Sequence, residues 1–254
     1  MNQTTVAPTY NRVVLYIRSL LFWIFSIGAT LLMALPVLGS SLFSYRVASA
    51  AAKFWARMNL FGLKLFCNLS YEVEGRENIP ESGCVVLSKH QSTWETYFLF
   101  GTMSNSAFVA KKSLLWIPIF GWAIAALRFI MIDRQAGRSA IAQMIDQARD
   151  RLSRNISVIV FPEGTRMRPG AEANYRIGGA AIAEQTGADI LPVALNSGEF
   201  WPRMGFVKWP GTISVRIGPP IKSEGKTAAI LLSETQSWIE NEMSKINRLD
   251  RFPY

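Results

Sequence analysis

The sequence predicts an α/β fold: a mixed, mostly covered sheet with flanking helices, preceded by an N-terminal membrane-associated two-helix hairpin. Three observations carry this reading. No charged residue occurs between Arg18 and Arg46, so the N-terminal part of the chain is apolar over helical length. From Leu69 onward, short apolar runs alternate with amphipathic stretches, as expected when strands and helices alternate along the chain. Half of the 254 residues are hydrophobic and only 18% are charged, enough to bury a substantial core and too apolar for disorder. Two regions are expected, a membrane-anchoring helical hairpin over 1–68 and an α/β domain over 69–254.

The hairpin comes first. Residues 19–38 meet the length of about 20 apolar residues that crosses a bilayer, with Arg18 able to snorkel at one end. A cleaved signal sequence is the rival, and Ala48-Ser49-Ala50 resembles a cleavage site. The apolar run is too long and ends too late for that. Pro36 and Gly39 are expected to break the first helix. A second helix over 42–69 mixes Phe43, Phe54, Phe61 and Leu65 with Arg46, Lys53, Arg57 and Lys64, an amphipathic pattern suited to an anionic membrane surface. Basic residues flank the apolar segment on both sides, so a hairpin that dips into one leaflet fits as well as a full span. A pair of buried core helices is the alternative.

Strands are predicted over 71–73, 84–88, 107–110, 129–132, 157–161, 190–195 and 212–217, because each is a short apolar run bounded by turn or charged residues. Helices are predicted over 93–100, 138–154, 179–185 and 227–249. Residues 114–127 are uncharged and interrupted by Pro118; too short to span, they are expected to face a membrane or an acyl chain.

The net charge of +9 points to a negatively charged partner: an anionic lipid surface, a phosphorylated substrate or nucleic acid. Nucleic acid is disfavoured because the cations form no dense stripe and no recognition module is present. Two cysteines, Cys67 and Cys84, make no disulfide framework, and with one histidine they give no zinc spacing, so neither a metal site nor an oxidising compartment is expected. The sequence has no Gly-x-Gly-x-x-Gly or Walker A motif, hence no expected nucleotide cofactor, and no Gly-x-Ser-x-Gly elbow.

Chemistry is expected in the stretch Lys89-His90-Gln91-Ser92-Thr93-Trp94-Glu95-Thr96, which holds the single histidine. Imidazole suits proton transfer near neutral pH. On one continuous helix, Glu95 would lie about 140° around from His90, too far to touch it. The two meet if His90 ends a strand and Glu95 sits on the first turn of the next helix. The carboxylate then orients the imidazole, and the other ring nitrogen is left as a base. Ser92 or Thr93 is the expected cap, and the backbone N–H groups of 91–93 are expected to favour anions. The second constellation is Phe161-Pro162-Glu163-Gly164-Thr165-Arg166, where a strand turns sharply, Gly164 permits an anion nest and Arg166 can clasp a phosphate. Lys111 and Arg134 also follow predicted strands, and in a parallel sheet all would gather at its carboxyl edge.

These two motifs, with Ile130-Met131-Ile132-Asp133-Arg134, Ala110-Lys111-Lys112 and Ile190-Leu191-Pro192-Val193 between and after them, resemble the glycerolipid acyltransferase family, most closely its PlsC-like lysophosphatidic acid acyltransferases. The family pattern has Asp where this chain has Glu95. The resemblance implies a membrane-bound transferase of the cell inner membrane, with its active site on the cytoplasmic face. It would move an acyl chain from acyl-CoA or acyl carrier protein to the sn-2 hydroxyl of lysophosphatidic acid, giving phosphatidic acid. His90 would be the general base oriented by Glu95. Lys111, Arg134, Glu163, Gly164, Thr165 and Arg166 would hold the substrate phosphate, with no cofactor and no metal. The readings set against it are transfer to another lysolipid, such as a lysophospholipid with a head group or a lyso-ornithine lipid; thioester hydrolysis; and lipid binding without catalysis.

Overall fold

The computed structural model describes residues 10–133 and 137–248. Two long helices come first, α1 (Arg12–Ser41) and α2 (Tyr45–Cys67). Asn11 caps α1 by accepting from the Val13 and Val14 N–H groups. The expected break at Pro36 and Gly39 does not occur: both lie inside α1, exposed on its outer face. Hydroxyls complete the last turns, Ser40 donating to the Pro36 carbonyl at 2.5 Å and Ser41 to that of Leu38 at 2.7 Å. The chain therefore turns later, and α2 starts at Tyr45 and ends where Asn68 adopts a left-handed conformation (φ 51°).

The helices approach closely at Gly62 of α2, where a Cβ would stand 2.5 Å from the Phe25 ring of α1. A polar zip fixes their register. Ser26 is bonded to Asn59 at 2.6 Å, Trp55 Nε1 donates to Thr30 at 3.0 Å, and Arg18 Nε donates to the Phe66 carbonyl at 2.7 Å. The outward faces stay apolar. Val13, Ile17, Leu20, Ile24 and Leu35 are exposed, and Phe43 at the turn is 90% exposed.

The remaining chain builds one seven-stranded sheet from β1 (Leu69–Glu74), β2 (Val85–Ser88), β3 (Ser106–Lys111), β4 (Ile130–Ile132), β5 (Ser157–Val160), β6 (Ile190–Leu195) and β7 (Gly211–Ile217). Its order is β1-β7-β6-β2-β5-β3-β4. Five neighbouring strands, β6, β2, β5, β3 and β4, run parallel, whereas β6 and β7 pair antiparallel, so the sheet is mixed as expected. The helices are α3 (Trp94–Thr102), α4 (Phe120–Ala126), α5 (Arg138–Ser153), α6 (Gly178–Thr186), α7 (Ser197–Phe200) and α8 (Ala228–Ile246). Alternate residues of the central strands feed two cores. Val86, Ile159, Leu191 and Val193 pack on one face with α3 and the inner sides of α1 and α2. Val85, Leu87, Val158 and Val160 pack on the other with α5, α6 and α8.

The hairpin thus shares a core with the sheet. A second joint holds it there: Lys208 is fully buried, with its ammonium 3.8 Å from the Trp23 ring centre and 4.5 Å from that of Trp201, and bonded to the Phe206 carbonyl at 2.7 Å. Residues 114–127 split around Pro118. A 3-10 turn (Lys112–Trp116) precedes α4, with Ile119 at φ 68° closing a tight turn in which Phe120 N–H donates to the Pro118 carbonyl at 2.7 Å. Trp116 here is 86% exposed.

Candidate active site

The parallel strands end on one edge, and the two motifs singled out in the sequence meet there. β2 stops at Ser88, His90 follows, and α3 begins at Trp94, so Glu95 lies on the first turn of the following helix, as its spacing requires. His90 Nδ1 stands 3.5 Å from Glu95 Oε2. That is just beyond a hydrogen bond, and Nδ1 has no other partner among the described residues. Contacts of this length are common in a free site and can tighten once a ligand is bound. Phe161, the residue after β5, stacks on the imidazole at 3.8 Å and 11°, which fixes the ring plane.

Glu95 is fully buried, and its carboxylate is well supplied with donors. It accepts from Gln91 N–H at 2.8 Å, from Ser92 N–H at 2.7 and 3.0 Å, and from the Ser197 hydroxyl at 2.5 Å. Two of the three N–H groups expected to be free for a substrate anion, those of Gln91 and Ser92, are thus occupied by the protein's own carboxylate. The two expected caps share the helix start: Ser92 Oγ accepts from Trp94 N–H at 3.2 Å, while Thr93 holds the N-cap position without a side-chain cap bond, its hydroxyl accepting from Arg166 Nη1 at 2.8 Å. The longer Glu side chain is absorbed because it reaches back over the turn that leads into its own helix, in the manner of a capping-box glutamate.

Ser197 belongs to α7, a single turn that sequence reasoning missed. Asn196 and the Arg248 N–H hold Glu199 in place, and Gly198 N–H donates to Gln91 Oε1 at 3.1 Å. A Cβ at Gly198 would stand 2.7 Å from that of Gln91, so the approach needs glycine.

The second motif wraps the first. Both backbone groups of His90 bond to it: His90 N–H donates to Glu163 Oε1 at 3.3 Å, and Met167 N–H donates to the His90 carbonyl at 2.8 Å. Gly164 has φ 70°, as the sharp turn demands, and the Arg176 side chain lies against its Cα, 3.2 Å from where a Cβ would be. Gly164, Thr165 and Arg166 line a large cavity together with His90 and Lys111 at the end of β3. Arg176 and Arg203 add further cations to the lining, and no Asp or Glu lines it among the described residues. Neither arginine follows a strand, which is why the sequence did not single them out. Arg134 lies outside the described residues.

Glu163, expected among the phosphate ligands, is turned the other way. It is 5% exposed and points at His90 N–H and, 3.6 Å away, the Lys89 ammonium. Burial pushes its carboxyl up from the usual 4.5 to about 7, with Lys89 pulling it back. The folded chain therefore binds this proton more tightly than the unfolded chain does. Stability contributed through Glu163 is fully present below about 4.5 and is lost as pH rises through about 7. Thermal melts of wild type and Glu163→Gln are expected to show wild type losing ground between pH 5 and pH 8, by on the order of 1–3 kcal/mol. A difference that is flat with pH would mean a carboxylate ionised throughout.

The cavity has a volume of about 1120 Å³. Beyond the cationic mouth its walls are apolar: Phe100, Phe108, Leu127 and Phe129 beside the sheet, Ile27 and Ala34 from α1, and Ala123 from α4. Its size and lining suit an acyl chain, and His90 stands where the apolar slot meets the cations.

Comparison with known proteins agrees. Residues 70–196 match a family described as Acyltransferase. The 1-acyl-sn-glycerol-3-phosphate acyltransferase of Pseudomonas aeruginosa is 41% identical over 200 residues, covering 78% of each chain. The chloroplastic 1-acyl-sn-glycerol-3-phosphate acyltransferase of Arabidopsis thaliana is 28% identical and covers 85% of this chain and 62% of its own. The human alpha enzyme of the same name is 31% identical, covering 67% and 62%. The crystal structure of the 1-acyl-sn-glycerophosphate acyltransferase PlsC from Thermotoga maritima shares the fold, with a TM-score of 0.78, 23% identity and coverage of 92% of this chain and 96% of that one.

Proposed function

The chain belongs to the acyltransferase family, and from that membership we propose that it transfers an acyl chain from a thioester to the sn-2 hydroxyl of lysophosphatidic acid, giving phosphatidic acid. The observation that carries this is the position of His90, held beside Glu95 at the junction of an apolar cavity with a cluster of cations.

Nε2 of His90 takes the proton of the acceptor hydroxyl. Nδ1 faces Glu95, which stabilises the imidazolium as it forms. The alkoxide attacks the thioester carbonyl, the tetrahedral oxyanion collapses, the C–S bond breaks, and the departing thiolate takes the proton back. No acyl-enzyme arises on this route. Lys111, Thr165 and Arg166, with Gly164 shaping the turn, hold the acceptor phosphate at the mouth, and Arg176 adds charge there. Glu163 acts from behind, through the His90 backbone. Holding two substrates in line is worth about 7–11 kcal/mol in favourable cases, and the base about 10²–10⁴-fold.

The apolar outer faces of α1 and α2 are assigned to the membrane. The antiparallel hairpin returns the chain to the side it entered, so it dips into the cytoplasmic leaflet of the cell inner membrane, with Arg46, Lys53 and Lys64 against anionic head groups. Trp116 and Trp122, exposed beside the cavity wall, form a second contact. Ile24 and Leu35 lie about 20° apart on one face of α1 and outside the cavity lining. Changing both to Asp is expected to shift the protein from pellet to supernatant when it is sedimented with anionic phospholipid vesicles, at about 2.5–3.5 kcal/mol per charge. Unchanged sedimentation would remove α1 from the bilayer.

The function is tested by a matrix of donors (acyl-CoA, acyl carrier protein) against acceptors (lysophosphatidic acid, other lysolipids). Phosphatidic acid formed fastest from lysophosphatidic acid is expected; a faster reaction with another lysolipid would reassign the acceptor.

A further inference from the structure

Lys89 directly precedes His90 and is 3% exposed, a rare state for lysine. Its ammonium lies 2.7 Å from Glu240 Oε1 on α8 and 3.6 Å from Glu163 Oε1, and 5.7 Å from the Tyr175 ring centre. The Tyr175 hydroxyl donates to the same Glu240 oxygen at 2.8 Å. Glu163 Oε1 accepts from His90 N–H, Glu163 Oε2 is buried without a hydrogen-bond partner among the described residues, and Lys89 is a cation that faces this carboxyl. None of Lys89, Glu163, Tyr175 or Glu240 lines the cavity. A buried ammonium has a large desolvation cost, and an apolar side chain would fill the space more cheaply. Its presence under the base calls for a purpose other than stability.

We propose that Lys89, anchored by Glu240 and Tyr175, is a positioning residue: it fixes the Glu163 carboxyl that holds the His90 backbone, and so sets where the imidazole stands at the sheet edge. The inference rests on His90 being the base. Because the network touches His90 and not the cavity, its loss reads out in kcat rather than in KM, and its members act as one unit.

The test uses the full-length protein with lysophosphatidic acid and acyl-CoA. Lys89→Met is expected to lower kcat at least tenfold with both KM values within twofold. Glu240→Gln, at a side chain 39% exposed, is expected to lower kcat three- to tenfold. Adding Glu240→Gln to Lys89→Met is expected to change kcat less than twofold further. Wild-type kcat in Lys89→Met, losses confined to KM, or losses that multiply in the double variant overturn the proposal. If Lys89→Met does not fold, Glu240→Gln decides alone, and wild-type kcat there overturns it. His90→Ala is assayed in parallel. If His90→Ala is inactive while Lys89→Met is normal, only the positioning role fails; activity retained in His90→Ala removes the base assignment itself.

Discussion

Replacing His90 by Ala is expected to lower kcat by about 10²–10⁴-fold, the contribution of a positioned general base, while KM for acceptor and donor stays within threefold. The separation follows from the geometry. The imidazole lines the cavity, but the cations and apolar side chains assigned to the phosphate and the acyl chain are other residues, so binding is expected to survive its removal. The fold survives too, because the motif behind His90 bonds its backbone N–H and carbonyl rather than its ring. The ring is 16% exposed, and Phe161 stacks on it. Losing that stacked contact costs about 1 kcal/mol, a small shift in a thermal melt. Steady-state kinetics with a melt on the same sample checks both halves, and activity within tenfold of wild type would contradict the role of base.

Glu95 is the second large effect, and it divides by substitution. Glu95→Ala leaves two buried backbone N–H groups, Gln91 and Ser92, and the Ser197 hydroxyl without their acceptor. Each stranded donor costs about 1–3 kcal/mol, so this variant is expected to melt markedly lower as well as lose activity. Glu95→Gln keeps the length but directs an amide NH₂ at N–H donors and cannot stabilise an imidazolium. A kcat loss on the order of 10²–10⁴ is expected with a smaller stability loss, as for a neutralised triad carboxylate. Glu95→Asp keeps the charge but is one methylene short of donors on both sides of the turn, and about a tenfold loss is expected from misplacement. The double variant His90→Ala with Glu95→Gln should be no slower than His90→Ala, since the two act as one unit. Full multiplication of the two losses would separate Glu95 from the base.

Much of this was legible in the sequence because the local signals agree with one another. The strands from β2 to β7 are apolar runs with turn residues at both ends, and β6 falls exactly on 190–195 as read. The relation of His90 to Glu95 follows from helix geometry alone. What was not legible depended on contacts distant in sequence. Pro36 carries a strong local breaking signal, yet helix α1 passes through it because Phe22 and Val37 on its inner side are held by the shared core. Ser197 lies 102 positions from Glu95, in a four-residue helix with no periodicity to detect. The inward turn of Glu163 could not be told from an outward one by spacing, because its partner His90 N–H is a backbone group of another segment. Likewise Phe161 read as the end of a strand, and its stacking on the imidazole appears only when β5 pairs with β2.

Direct transfer is the centre of the mechanism, and one rapid-quench experiment addresses it. Wild-type protein in excess is mixed with radiolabelled acyl-CoA, with and without lysophosphatidic acid. Activation of the acceptor hydroxyl by His90 predicts labelled phosphatidic acid and free thiol in equal amounts when the acceptor is present, and neither thiol release nor protein-bound label when it is left out. Label that accumulates covalently on the protein, or thiol released at the same rate without acceptor, would contradict it.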